Sequence, residues 1–198
     1  MSKLPTGPGE RQAEHPILPL FVQRWSPRAM DGRALTDADM HTLFEAARWA
    51  PSTQNEQEWR FLYARPGSAH WATYLEILME GNRVWCKDAG LLCVILAAKT
   101  FAKNGKPNPV YAFDAGAAFM SIALQAAAQG LVAHGMAGFD KDKARTELSV
   151  PDDYAIQAMF AAGYPGDPAK LPDTLRDRER PSPRRPIRES IADGRFAF

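Results

Sequence analysis

Two guanidinium groups and a hydroxyl lie within five residues at Arg24-Trp25-Ser26-Pro27-Arg28. Arginine presents a planar fork of N–H donors that matches phosphate oxygens, and a serine hydroxyl adds another donor, so this string suits a phosphate grip. A second string, Ala50-Pro51-Ser52-Thr53-Gln54-Asn55-Glu56-Gln57-Glu58-Trp59, carries Ser52, Asn55 and Gln57. Their uncharged donors and acceptors suit the polar edge of a uracil-like ring. Read plainly, the first string is a charged turn and the second a helix end with its loop. The C-terminal stretch from Arg176 to Arg195 holds seven arginines, which reads as a basic tail or a nucleic-acid arm. Asp177, Glu179, Glu189 and Asp193 interrupt it and no aromatic interleaves, which argues against nucleic acid.

The elements that must position these groups are legible in outline. Thr36 and Asp39 form a capping box for a helix whose apolar face carries Met40, Leu43, Phe44 and Ala47, and Pro51 ends it. Trp59 to Ala64 alternates as a strand. Ser68 can cap a second helix with Trp71, Leu75, Leu78 and Met79 as its buried stripe. Gly90 to Leu96 is apolar on both faces, as a strand covered on both sides requires. Thr100 to Val110 reads as a loop too polar to pack. The alanine-crowded stretch from Asp114 to Gln129 predicts a central helix that neighbours can approach closely. Leu131 to Ala137 is a short strand or extended loop, Asp140 can cap a short helix, and Ile156 to Ala162 is a strand ended by Gly163-Tyr164-Pro165-Gly166. The expected class is α+β, with helices on both faces of a mainly antiparallel sheet. A doubly wound parallel sheet is the alternative, but no Gly-rich phosphate loop follows a strand.

Composition narrows the function classes. The 198 residues fit one domain over 17–198, with residues 1–16 expected as a flexible N-terminal arm rich in Pro, Gly and charge. Net charge is +1, which gives no global attraction to nucleic acid or an anionic membrane. No apolar run reaches the length of a membrane span, and the first fifteen residues lack the hydrophobic stretch of a secretory signal. Cys86 and Cys93 form neither a CxxC pair nor a disulfide framework, and core thiols in a cytoplasmic protein are the expectation. His15, His41, His70 and His134 show no metal-ligand spacing, and no Ser-His-Asp order or carboxylate pair stands out. The sequence therefore nominates no catalytic side chain and no metal site.

From Ile17 to Ile191 the chain resembles the FMN-dependent nitroreductase family. The carriers are the Arg24-x-Ser26-x-Arg28 string, the match to Pro-Ser-x-x-Asn-x-Gln-Pro-Trp at Pro51, Ser52, Asn55, Gln57 and Trp59, and the Arg184-Arg185-Pro186-Ile187 tail. The resemblance implies that Arg24, Ser26 and Arg184, with Arg185 as fallback, hold the FMN phosphate. Arg28 would sit by the pyrimidine edge, where a fixed cation stabilises the negative charge of the reduced ring; its plain alternative is a surface ion pair. Ser52, Asn55 and Gln57 would reach a flavin held mainly by the other subunit. Asn82 would contact the ring side, or else cap a helix. Gly135-Met136-Ala137-Gly138-Phe139-Asp140 resembles a loop whose Ala137 and Gly138 backbone faces the ring, with His134 close by. Glu58 stands where the family has proline, which implies a less rigid loop. The implied protein is a homodimeric NAD(P)H-oxidising enzyme with an electron-poor acceptor such as a nitroaromatic or quinone. A flavin-binding protein without turnover is the alternative.

Overall fold

The computed structural model describes residues 11–198. The elements run α1 (Pro19–Gln23), α2 (Asp37–Arg48), β1 (Trp59–Ala64), α3 (Trp71–Ile77), α4 (Glu80–Cys86), β2 (Leu91–Ala98), α5 (Tyr111–Gln129), β3 (Val132–Met136), α6 (Lys141–Glu147), β4 (Tyr154–Gly163) and α7 (Asp173–Arg176). The strands form one sheet in the order β1-β2-β4-β3, and every pairing is antiparallel. The parallel alternative is therefore excluded and the α+β expectation holds.

Strand β2 shows how the sequence builds three layers. Leu92, Val94 and Leu96 point to one core, with Ile77, Trp85 and Met136. Leu91, Cys93, Ile95 and Ala97 point to the other, with Leu43 from α2 and Ile122 from α5. The period of two along a strand puts alternate residues on opposite faces, and both faces are covered, so all must be apolar. Burial raises both the Cys86 and Cys93 thiol pKa values, in keeping with inert core thiols. A bulge between Ile95 and Leu96 leaves Gln157 of β4 without a counterpart. Ile156 thereby shares a face with Met159 and Ala161.

Local signals explain several boundaries. Thr36 accepts from the Asp39 amide at 3.1 Å, as the capping box predicts. Asp140 caps α6 by accepting from Lys143 N–H. Helix α5 ends on Gly130 at φ 74, a left-handed position that glycine reaches without a Cβ clash. It starts at Tyr111 rather than Asp114, which places Asp114 in its first turn.

The helix expected after Ser68 is instead two. Its N-cap position falls on His70 with no side-chain cap bond, and Tyr74 and Ile77, not the stripe of Trp71 and Leu75, are its fully buried residues. Leu78 and Met79 leave helical geometry. There Met79 N–H donates to Gly138 O (3.1 Å) and Asp140 N–H donates to Ile77 O (2.9 Å). This bridge claims the backbone groups a continuous helix would use, so Leu78 is buried beneath it while Met79 turns outward. Edge strand β3 settles the choice left open for Leu131 to Ala137 in favour of a strand.

Candidate functional site

The Arg24–Arg28 string follows α1 and forms one wall of a cleft of about 630 Å³. The opposite wall is the tail, with Arg178, Arg180, Ser182 and Arg184, while His134 of β3 also lines it. No Asp or Glu among the described residues lines it. Arg24 is held by a long hydrogen bond from Nη1 to Ser26 Oγ (3.4 Å), and its buried Nε has no partner among the described residues. Burial lowers the Arg24 pKa, and the nearby Arg184 charge lowers it further. Arginine stays charged regardless, so the site concentrates positive charge and holds an unanswered donor. Both features fit an anion with several acceptor oxygens.

Arg11 is part of the same wall and carried no sequence signal. Its Nη1 donates to the carbonyls of Val22 and Arg24, both at 2.8 Å, and its Nε donates to Ser182 O at 3.1 Å. Residues 1–10 of the expected arm lie outside the described residues. Arg185, the expected fallback for Arg184, lines a neighbouring cleft with Ile17, Phe21 and Ile187 and does not face Arg24.

Arg28 is anchored from 151 residues away. Glu179 Oε1 accepts from the Arg28 and Ala29 amides at 2.6 and 2.8 Å, and Glu179 Oε2 lies 3.8 Å from the Arg28 guanidinium. Burial lowers the Arg28 pKa, with Glu179 opposing the shift. The plain reading of Arg28 as an ion-pair partner is thus realised, within the cleft wall. His134 supports the string from below. Its Nδ1 lies 2.9 Å from Pro27 O, which can only accept, so that nitrogen carries the proton. Burial lowers the imidazole pKa, against the Pro27 bond and with the help of the Arg28 charge. The ring packs against Trp85 with centroids 4.8 Å apart and planes tilted by 47°, tying β3 to α4.

Asn82 lies one turn before Trp85. Its Nδ2 donates to Gly138 O at 3.0 Å, so the structure brings these two expected residues together. A Cβ on Gly138 would lie 2.6 Å from Asn82 Nδ2, so any side chain there would displace the contact. Asn82 is therefore a strut for the Ala137–Gly138 turn, not a cap at a helix end.

Ser52, Asn55 and Gln57 are not brought to the arginine cleft within one chain. They occupy a strained loop in which Gln54, Asn55 and Gln57 have φ of 55, 58 and 52. Ser52 Oγ accepts from Gln57 N–H (3.0 Å), and Asp114 accepts from Thr53 N–H (2.9 Å). Glu58, which stands where the family has proline, is built into the core beside this loop. Glu58 is 2% exposed and accepts from Asn108 Nδ2 at 2.7 Å, while its buried Oε2 has no hydrogen-bond partner among the described residues. Burial raises its pKa, opposed by its hydrogen bond from Asn108 and reinforced by the Asp114 charge. The loop containing Asn108 is correspondingly not all polar filler, because a buried carboxyl needs a donor. Sequence spacing could not pair residues 58, 108 and 114. No cluster of three or more metal-ligating side chains occurs among the described residues.

The Nitroreductase family model matches residues 21–84 and 75–164, which span both polar strings, α4 and the sheet. The chain belongs to the nitroreductase family. A solved oxidoreductase containing FMN is 43% identical, with a TM-score of 0.90 over 94% of this chain and 96% of that one. A provisionally named nitroreductase from Desulfovibrio desulfuricans, solved in complex with FMN, is 27% identical, with a TM-score of 0.71 over 93% of this chain and all of that one (100%). A protein of Rhodopseudomonas palustris provisionally named NADH dehydrogenase/NAD(P)H nitroreductase is 29% identical over 171 residues, covering 77% of this chain and 86% of the relative. The nitroreductase fold thus accounts for the all-antiparallel sheet between two helical layers. No helix among the described residues is long and apolar enough to cross a membrane.

Proposed function

We propose that this nitroreductase-family chain is a cytoplasmic FMN-dependent oxidoreductase that passes reducing equivalents from NAD(P)H to an electron-poor acceptor, such as a nitroaromatic or quinone, in a ping-pong cycle. The observation that carries the reading is the buried Nε of Arg24, which has no partner among the described residues, beside Ser26 in a cleft walled by arginines. The FMN of the two solved relatives gives that donor set its most economical ligand. Arg24, Ser26 and Arg184 bind the phosphate, and no Gly-rich loop calls for a dinucleotide pyrophosphate. Bound FMN supplies the hydride-accepting and hydride-donating chemistry.

The protein's part is orientation and charge. His134 holds the Pro27 carbonyl and so fixes the Ser26–Arg28 backbone. Arg28 provides a cation beside the ring's pyrimidine edge, restrained by Glu179. Asn82 keeps the Ala137–Gly138 turn at the ring. Ser52, Asn55 and Gln57 serve the flavin of a second subunit, which requires a homodimer. The outer face of α5 supports such pairing: Phe113 is 79% exposed and Met120 38%, with Gly116 between them. A second copy covering this stripe removes apolar surface from water.

The purified protein should be yellow, release FMN and not FAD on denaturation, and oxidise NAD(P)H only when an acceptor is present. Recovery of FAD, or no flavin after reconstitution, would sink the cofactor assignment. Bound FMN without turnover would leave a flavin-binding protein. Light scattering should give about twice the chain mass of 21.9 kDa; a fully active monomer would remove the intersubunit roles.

A further inference from the structure

The two ends of the described chain meet at the arginine cleft. Arg11 Nε donates to Ser182 O, and Glu14 accepts from Ile187 N–H at 3.3 Å. Arg11 is also held by the Val22 and Arg24 carbonyls, so three bonds through Nε and Nη1 fix its plane. Its Nη2 makes no hydrogen bond to a described residue. Arg184 spends Nη1 on the carbonyls of Ser182 and Pro183 (3.3 and 3.0 Å) and likewise keeps Nη2 free of described acceptors. Carbonyl oxygens orient these guanidiniums but do not neutralise them. Burial and the Arg184 charge lower the pKa of both Arg11 and Arg24. Three cations from residues 11, 24 and 184 therefore crowd one cleft that no carboxylate among the described residues lines. Such crowding is unfavourable until an anion offsets it, and a phosphomonoester dianion has the oxygens to meet several forks at once.

We propose that Arg11 is a phosphate-binding residue, and that a bound phosphomonoester fastens the N-terminal segment around Arg11 to the C-terminal tail around Arg184. The inference rests on the reading of this cleft as a flavin-phosphate site. Without the dianion, repulsion among the three guanidiniums works against the few side-chain-to-backbone hydrogen bonds joining the two segments. With it, each segment supplies donors to a shared acceptor, so ligand binding and closure of the chain ends stabilise one another.

The test titrates the flavin-stripped full chain with FMN, riboflavin and inorganic phosphate, alongside Arg11→Gln and Arg11→Lys. Arg11→Gln should weaken FMN binding by roughly ten- to a hundredfold while leaving riboflavin affinity unchanged, the range for one charged hydrogen bond. Arg11→Lys should fall between, since it keeps the charge and loses the fork. In the unmutated chain, amides of residues 11–15 and 181–188 should exchange with deuterium more slowly with FMN than with riboflavin; this reading does not depend on the variants folding. Parallel losses of FMN and riboflavin affinity would assign Arg11 a purely structural role and overturn the proposal. So would equal protection by the two flavins. If inorganic phosphate protects both segments while no flavin binds, the clasp stands and the FMN reading falls. If FMN binds without protecting either segment, the clasp falls and the FMN reading stands.

Discussion

Glu179 and Arg28 are joined twice, through the backbone and through their side chains. The carboxylate takes the Arg28 amide at 2.6 Å and the Ala29 amide at 2.8 Å, and its second oxygen lies 3.8 Å from the guanidinium. One acid of an arginine-rich tail thus fixes the strand of chain that carries the candidate phosphate ligands. An acceptor for two amides resists substitution, because any smaller residue leaves both donors without it.

Glu179→Ala should accordingly lower stability by about 1–3 kcal/mol, the cost of leaving buried donors unmade. Urea denaturation would measure it. Limited trypsinolysis should also cut the tail between Arg176 and Arg188 faster than in the unmutated protein. Unchanged cleavage would mean that other contacts hold the tail.

Arg24→Ala and Arg184→Ala should each weaken FMN binding by roughly 1.5–3 kcal/mol, as expected for a hydrogen bond to a charged group. Arg185→Ala should have a smaller effect, because Arg185 lines the adjoining cleft. Fluorescence titration of the stripped protein separates the three. Equal losses at 184 and 185 would show that the tail docks FMN in another register.

Glu58 gives a pH dependence of defined sign. Its folded pKa is raised above the ordinary 4.5, chiefly by burial, so the folded state holds its proton more tightly than the unfolded chain does. Its contribution to stability is greatest below pH 4.5 and declines as pH rises through the folded value. Glu58→Gln keeps an acceptor for Asn108 and gives Asp114 a donor. The variant should gain about 1 kcal/mol at pH 7–8 and lose this slope, read from melting temperatures across pH 4.5–8. A less stable variant at pH 8 would show that the charged form is the one the fold accommodates.

His134 has the opposite dependence. Its folded pKa is lowered from 6.5, with burial the main cause, so the unfolded chain takes up a proton first on acidification. Stability should fall as pH drops below 6.5 toward the folded value. His134→Phe can retain the tilted packing against Trp85 but loses the Pro27 bond; it should cost about 1–2 kcal/mol at pH 7.5 and flatten the acid slope. Chemical denaturation at pH 5 and 7.5 gives both numbers. An unchanged slope would place the acid-sensitive group elsewhere.

Much of the scaffold was legible because its signals are local. The Thr36–Asp39 box, the β2 apolar run and the alanine spacing of α5 each express one short-range rule, and the observed elements follow it. The pairing of Arg24 with Ser26 is equally local, separated by two residues. The break at Leu78–Met79 was hidden, since the competing partner is Gly138, far along the chain.

The sequence by itself determined the layered α+β frame and the motif arginines, because periodicity, capping and short motifs are written in neighbouring residues. Tertiary structure alone decided that Arg11 lines the cleft, that Glu179 holds the Arg28 segment of its wall, that Arg185 lines the neighbouring cleft, and that Glu58 is buried against Asn108. Those assignments depend on partners as far apart as Arg11 and Ser182, 171 residues distant, or Glu58 and Asn108, 50 residues distant. A hydrogen bond needs about 3 Å in space and no fixed interval in sequence, so only folding selects which of many arginines and carboxylates meet.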